Sequence, residues 1–186
     1  MFCPICNTET TSTIKSQEET YSVKGEHITI NAQIRFCDCC GSDIWDDCLD
    51  EQNLLNAFAE YRKKHKLLSP GEIRAIREQY GVSQTAFARI LGFGDKTITR
   101  YENGSIADAA QNNLIELSKK PNNFKSLLEK NREKISSSDY LAANAAIEKL
   151  HSQVICKSVL LKYALAKNTT PVEYDADCCQ GRYVYA

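Results

Sequence analysis

Two pairs of cysteines carry the most specific chemistry in this chain. Cys3-Pro4-Ile5-Cys6 and Cys37-Asp38-Cys39-Cys40-Gly41 each set two cysteines two residues apart. That spacing lets both sulfurs of a knuckle face one ion, and four thiolates then close a tetrahedron around Zn2+. Such a site leaves no position for water, so the chemistry it predicts is structural rather than catalytic. Iron in the same four-sulfur geometry, or no metal at all, are the competing readings. Cys39 competes with Cys40 as the fourth ligand; Cys40 keeps the two-residue spacing and precedes a glycine. Cys48 reads as a buried thiol, and His27 as a solvated side chain on the polar face of a strand.

A second constellation lies between Ser83 and Gly104, S-Q-T-A-F-A-R-I-L-G-F-G-D-K-T-I-T-R-Y-E-N-G. Ser83 can cap a helix in which Ala86, Phe87 and Ile90 share an inward face. Gly92-Phe93-Gly94 stops that helix, because glycine enters left-handed backbone at little steric cost. Asp95 is expected to cap a second helix, ended by Asn103-Gly104, with Ile98 and Tyr101 on one face and Lys96 and Arg100 on another. A helix that presents Lys96, Thr97, Thr99 and Arg100 from its first turns suits a DNA major groove, with Ser83 and Gln84 at the start of the preceding helix beside it. The stretch resembles the Cro/repressor-type helix-turn-helix. A helical hairpin that binds protein is the alternative.

These residues need elements to position them. Thirty residues separate the cysteine pairs, so the chain between them must fold back on itself. His27 to Phe36 alternates polar and apolar residues, a half-buried strand running into Cys37, and Thr20 to Val23 can pair with it across Lys24-Gly25-Glu26. Asp50 to Lys66 reads as a linking helix with Leu54, Leu55, Phe58 and Tyr61 as its apolar stripe. Its basic end, Arg62, Lys63, Lys64 and Lys66, complements the helix dipole and is a candidate for contact with phosphate. Ser69-Pro70-Gly71-Glu72 is a capping box that opens a helix with Ile73, Ile76 and Tyr80 inward. Asp108 opens another, with Leu114, Ile115 and Leu117 before Pro121, and Phe124, Leu127 and Leu128 complete the bundle. Ser136 to Asp139 caps a last helix reaching about Lys167, in which Ile147, Leu150, Val154, Leu161 and Ala164 approach heptad spacing and Lys157 interrupts it. Packing on its own domain and partner binding are its two readings. Thr169 to Ala186, with Tyr174, Tyr183, Tyr185, Cys178 and Cys179, has no clear period.

The expected fold class is therefore α+β. A small zinc-ribbon-like β domain (1–48) leads through a linking helix (49–68) to an all-α helix-turn-helix domain (69–131), followed by a helical extension and tail (132–186). With 186 residues, each part buries a modest core, and metal is expected to hold the first together. The formal net charge of −1 excludes a global basic field. Residues 1–68 carry 7 basic and 11 acidic side chains, against 7 and 6 in residues 69–120. Any DNA contact must then come from a local patch, while the first segment suits a basic protein. No apolar run reaches membrane-spanning length and the N-terminus has no signal-peptide pattern, which predicts a cytoplasmic protein and cysteines used for metal rather than disulfides. No Ser-His-Asp arrangement, phosphate loop or open metal site is found, and His27, His65 and His151 are scattered; the chain does not read as an enzyme.

A C-P-x-C opening, a strand-rich insert, C-x-x-C-G, a linking helix and a helix-turn-helix with G-x-G-x-x-x-x-x-R-Y-E-x-G together resemble the MqsA/YgiT family of zinc-binding helix-turn-helix antitoxins, over roughly residues 1–130. The resemblance implies a zinc domain that binds and neutralises an mRNA-cleaving toxin. It also implies a C-terminal domain that dimerises and represses its operon by binding a palindrome. Cys3, Cys6, Cys37 and Cys40 match the family's zinc ligands, and Arg100 its recognition-helix arginine, suited to a guanine edge or a phosphate. Lys96 stands where the best-known member has asparagine; lysine cannot accept from adenine, so the resemblance carries the docking mode and not the operator sequence. Thr97 and Thr99 are candidate contacts to phosphate or a thymine methyl. The expected function is a DNA-binding antitoxin of a type II toxin-antitoxin system. The alternative is a zinc-containing regulator with no toxin partner, and an RNA-associated ribbon adaptor is a further reading that the acidic balance of residues 1–68 disfavours.

Overall fold

The computed structural model describes residues 1–167, with side chains through Gln153. The chain forms two compact units, Met1–Pro70 with Tyr101–Asn112, and Gly71–Arg100 with the residues from Asn113 onward. The architecture is mixed: small antiparallel sheets come first, then seven α-helices among the described residues.

In the first unit, β1 (Phe2–Cys3) pairs with β2 (Thr8–Glu9), and a long hairpin joins β3 (Ser12–Val23) to β4 (Glu26–Cys37). The register runs from Ser12 opposite Cys37 to Val23 opposite Glu26, which leaves Lys24-Gly25 as a two-residue turn. Both turn residues have positive φ, 49° and 83°. That backbone matches the right-handed twist of the flanking strands, and glycine in the second position makes it cheap. Along β4, Ile28, Ile30 and Ala32 are buried while His27, Thr29 and Asn31 face out, the alternation that a sheet covered on one side requires. β5 (Asp43–Ile44) extends the sheet beside Arg35 and Phe36 only.

The linking helix α1 (Asp47–His65) covers the sheet. Its start differs from the sequence expectation: Asp46 is the N-cap and accepts from the backbone of Cys48 and Leu49 at 3.1 and 3.2 Å. The buried face also differs. Leu54 and Leu55 are 41% and 37% exposed, whereas Asn53, Ala57, Tyr61 and Arg62 are buried. Ala57 and Tyr61 join Val23, Ile28, Ile30 and Ala32 in one core cluster, with Phe58, Leu67 and Ile106 packed against it. A polar residue leads this face for a specific reason. The Asn53 amide accepts from the Gln33 N–H and donates to the Gln33 carbonyl, both at 2.9 Å. It satisfies β4 where β5 does not reach, as the backbone of a neighbouring strand would. An apolar stripe read from hydropathy cannot include it.

In the second unit, α2 (Pro70–Glu78), α3 (Gln84–Ile90), α4 (Thr97–Glu102), α5 (Ala109–Ser118) and α6 (Pro121–Lys130) precede a 3-10 turn at Arg132–Lys134 and α7 (Ser137–Lys167). α2, α4 and α5 are shared at their ends with the first unit. Ile73, Ile76, Tyr80, Phe87, Ile90, Ile98, Ile115, Phe124 and Leu128 are all buried. Tyr80 stacks on Phe124 with ring centroids 3.7 Å apart, and its hydroxyl donates to the Ser118 carbonyl at 2.7 Å. Leu117 is 55% exposed, whereas Ser118 is buried and donates to the Ile115 carbonyl. The Ser136 hydroxyl accepts from the Asp139 N–H and caps α7 as expected. α7 packs on α6, with Ala143 and Ile147 buried and Leu150 half-buried. The side chains of Val154, Lys157, Leu161 and Ala164, and the tail with Tyr174, Tyr183, Tyr185, Cys178 and Cys179, lie outside the described residues.

Replacing the buried Asn53 by Leu removes the partner of both the N–H and the carbonyl of Gln33, which should lower the unfolding free energy by about 1–3 kcal/mol. Leu54→Ala, one residue along and exposed, should cost under about 1 kcal/mol. Urea titration of the metal-loaded protein measures both, and equal losses would show that Asn53 has no such role.

Candidate metal centre and nucleic-acid interface

The hairpin brings together cysteines that are thirty residues apart in sequence. The Sγ atoms of Cys3, Cys6, Cys37 and Cys40 all lie within 4.8 Å of one another. Cys3 to Cys40 is 3.6 Å and Cys6 to Cys37 is 3.9 Å. A zinc–sulfur bond of about 2.3 Å makes a tetrahedron whose sulfur–sulfur edge is about 3.8 Å, so these spacings suit a four-thiolate metal site. Cys40, not Cys39, supplies the fourth sulfur of the cluster. Cys48, read from sequence as buried, is exposed at the start of α1, where the Asp46 carboxylate accepts from its N–H.

Local backbone shapes each knuckle. Asn7 and Gly41, the residues directly after Cys6 and Cys40, have φ of 54° and 74°. Left-handed backbone there turns the chain sharply behind the second cysteine, and the C-x-x-C-G pattern shows the glycine version of that turn. The Cys6 N–H points at Cys3 Sγ (3.4 Å), the Gly41 N–H reaches the Cys37 carbonyl (2.9 Å), and the Cys37 N–H donates to the carbonyl of Ser42, just before β5 (2.8 Å). Two hydroxyls tune the sulfurs. Thr10 Oγ1 lies 3.2 Å from Cys37 Sγ and pulls that thiol down to about 6, while Ser42 lowers Cys40. Cys6 is pushed up by its hydrogen bond with Cys40 and by burial. The cluster thus stabilises negative charge at Cys37 and Cys40, which a divalent cation would neutralise as it displaced the remaining protons. Thr10 could not be found from the sequence, because nothing in the C-x-x-C pattern points to it.

In the other unit, α3 and α4 stand on either side of a turn built on Gly92, whose φ is 76°. Ser83 Oγ accepts from the Ala86 N–H at 3.1 Å, as its cap position predicts. Asp95, expected to cap α4, instead places both carboxylate oxygens on Arg89, at 2.9 and 2.7 Å, so that an ion pair clamps the turn. Each partner holds the other charged: Arg89 is raised and Asp95 lowered. Thr99 Oγ1 donates to Gln84 Oε1 at 2.9 Å and ties the first turn of α3 to α4.

Along α4 the candidate contacts divide. Ile98 and Tyr101 are buried, and Lys96 and Arg100 are exposed. Thr97 is only 6% exposed and is the candidate with the least surface to offer. Thr99 and Gln84 are half-buried, and Ser83 is exposed. At the basic end of α1, Lys64 and His65 pair with Glu26 at 2.7 and 2.9 Å, and Arg62 is buried, so that end is largely engaged within its own unit.

The chain thus carries a ribbon with four clustered cysteines and, after it, a helix-turn-helix pair. The model of one family, described as MqsA, the antitoxin component of a bacterial toxin-antitoxin system, matches residues 1–132. The chain belongs to that family, and α7 begins just beyond the matched span. No curated protein matches it closely enough to count as a relative. Among the described residues, no helix is long and apolar enough to cross a membrane.

Cys40→Ser should abolish stoichiometric metal in the purified protein, and Cys39→Ser should leave about one ion per chain. Native mass spectrometry reads both. Full retention by Cys40→Ser would remove it from the ligand set.

Proposed function

We propose that this protein is the antitoxin of a type II pair, holding structural Zn2+ on Cys3, Cys6, Cys37 and Cys40, neutralising a toxin through its ribbon and repressing its own operon through the helix-turn-helix. The family match over residues 1–132 is the observation that carries the reading. On this reading it is a binding protein of the cytoplasm rather than an enzyme. Four thiolates saturate a tetrahedral ion, so the metal would act as a staple.

For DNA, α4 enters the major groove with Lys96 and Arg100 outward; Arg100 reaches a guanine edge or a phosphate, and Ser83, Gln84 and Thr99 flank it, with Thr97 closest to the core. A homodimer would read two half-sites of a palindromic operator about one helical turn, or a multiple, apart. For the toxin, an mRNA-cleaving enzyme, support comes from apolar side chains left on the ribbon: Phe2, Ile5 and Trp45 are 51%, 70% and 74% exposed, and two of them flank cysteines. Exposed aromatic and aliphatic groups of this size are what protein interfaces cover. The second reading, a regulator with no toxin, is favoured by one observation: the 31-residue helix α7 lies outside the family match and offers a place for another signal.

Two experiments test these assignments. Arg100→Ala should weaken binding to the DNA upstream of its own gene by roughly 1–3 kcal/mol, and steep salt dependence should accompany binding of the unmodified protein. An unchanged affinity rejects α4 as the reading helix. In a growth assay, the full chain should rescue cells from the product of the adjacent reading frame. Arg100→Ala should still rescue, and Trp45→Ala with Ile5→Ser should rescue less. A harmless neighbour would leave the DNA-binding regulator.

A further inference from the structure

α1 ends in basic residues that differ in one respect. Lys63 and Lys64 are exposed, but Arg62 is 6% exposed. Its guanidinium Nη2 donates to the carbonyl of Gly104, and among the described residues no carboxylate pairs with it. Burial alone shifts the group, downward, as expected for a cation removed from water and met only by a carbonyl dipole. A long cationic side chain is seldom spent this way on packing.

The carbonyl it meets belongs to the residue whose N–H closes the turn after α4. Gly104 N–H bonds the Tyr101 carbonyl at 3.2 Å, directly behind Arg100-Tyr101-Glu102. Gly104 has φ of +105°, and a Cβ there would stand 3.1 Å from Leu55 Cδ2, also on α1. Leu55 and Arg62, two helical turns apart on α1, thus bracket the residue. Just beyond, Ile106 packs against the ribbon core and Asn112 Oδ1 accepts from the Leu68 N–H at 2.8 Å. α4 itself is six residues long, too short for its own hydrogen bonds to set where its ends lie.

We propose that Arg62 is a positioning residue for DNA reading, which fixes the C-terminal end of α4 through the Gly104 carbonyl and so sets where Arg100 is held. The inference rests on the DNA-binding reading above. It makes operator discrimination depend on α1, the helix that also covers the ribbon sheet. Base-edge contacts tolerate only small displacements, whereas non-specific phosphate attraction tolerates large ones. Loss of the tie should therefore cost selectivity before it costs general affinity.

The test uses the full, metal-loaded chain and fluorescence anisotropy, on the duplex from upstream of its own gene and on a scrambled duplex, over a salt series. Arg62→Met keeps the stem and removes the donor; the ratio of specific to scrambled affinity should fall about tenfold, with scrambled affinity and salt slope unchanged. Arg62→Lys, which keeps charge but has a shorter, unforked donor, should lie between Met and the unmodified protein. An unchanged ratio in Arg62→Met, at whatever thermal stability, overturns the proposal and leaves Arg62 a packing residue. Equal weakening on both duplexes with the salt slope reduced by about one overturns it in favour of a phosphate contact. Should Arg62→Met fail to fold, an unchanged ratio in Arg62→Lys is the overturning result. Failure of the unmodified protein to distinguish the two duplexes defeats the DNA reading and this inference together; discrimination that survives loss of Arg62 defeats the inference alone.

Discussion

The ribbon depends on four sulfur atoms being held together. At its knuckle end the buried cluster consists of Cys3, Cys37 and Ile44, with Cys6 packed against it, so cysteines form most of the core there. Two strands of two residues each, β1 and β2, could not order themselves on hydrogen bonds alone. A four-thiolate ion would replace the missing hydrophobic burial with bonds, and would join the two ends of the β3–β4 hairpin at the point where its register begins. Thr10, Ser42 and the left-handed residues Asn7 and Gly41 prepare the sulfurs for that role.

Farther from the knuckles the same hairpin becomes an ordinary half-covered sheet, and burial takes over. Ile28, Ile30 and Ala32 meet Ala57 and Tyr61 of α1, while Asn53 completes the open edge of β4 at Gln33. An amide at that position does two things that a leucine cannot. It bonds both polar groups of the Gln33 residue, and it fixes the helix along the strand to one register, because a single residue of β4 presents both groups to it. The segment after α4 joins this core through Ile106. The first unit is consequently built from sequence-distant pieces.

The helix-turn-helix divides its work by face. Ile98 and Tyr101 bury one side of α4 and leave Lys96 and Arg100 to solvent. The short elements are held by specific ties: the Arg89–Asp95 pair across the turn, Thr99 to Gln84, and the Ser83 cap. The exposed ion pair adds little stability in water, so its chief effect is geometric, limiting how the turn can open.

Much of this was legible in the sequence because it depends on neighbours in the chain. The knuckles follow from a two-residue spacing, the hairpin from strict alternation around Lys24-Gly25, the caps at Ser83 and Ser136 from side-chain chemistry three residues upstream of the N–H they receive, and the inward Phe87, Ile90, Ile98 and Tyr101 from helical period. Those rules are local and repeat in every protein. The choice of Cys40 over Cys39 also follows from the two-residue spacing and the glycine after it. Tertiary structure alone decided which face of α1 is buried, that Asp95 serves Arg89 rather than the helix end, and that Arg62 lies inside. Each of these depends on a partner that local spacing does not specify. A polar side chain's role is set by whichever unsatisfied group the fold brings to it, and no pattern of spacing along the chain records that meeting.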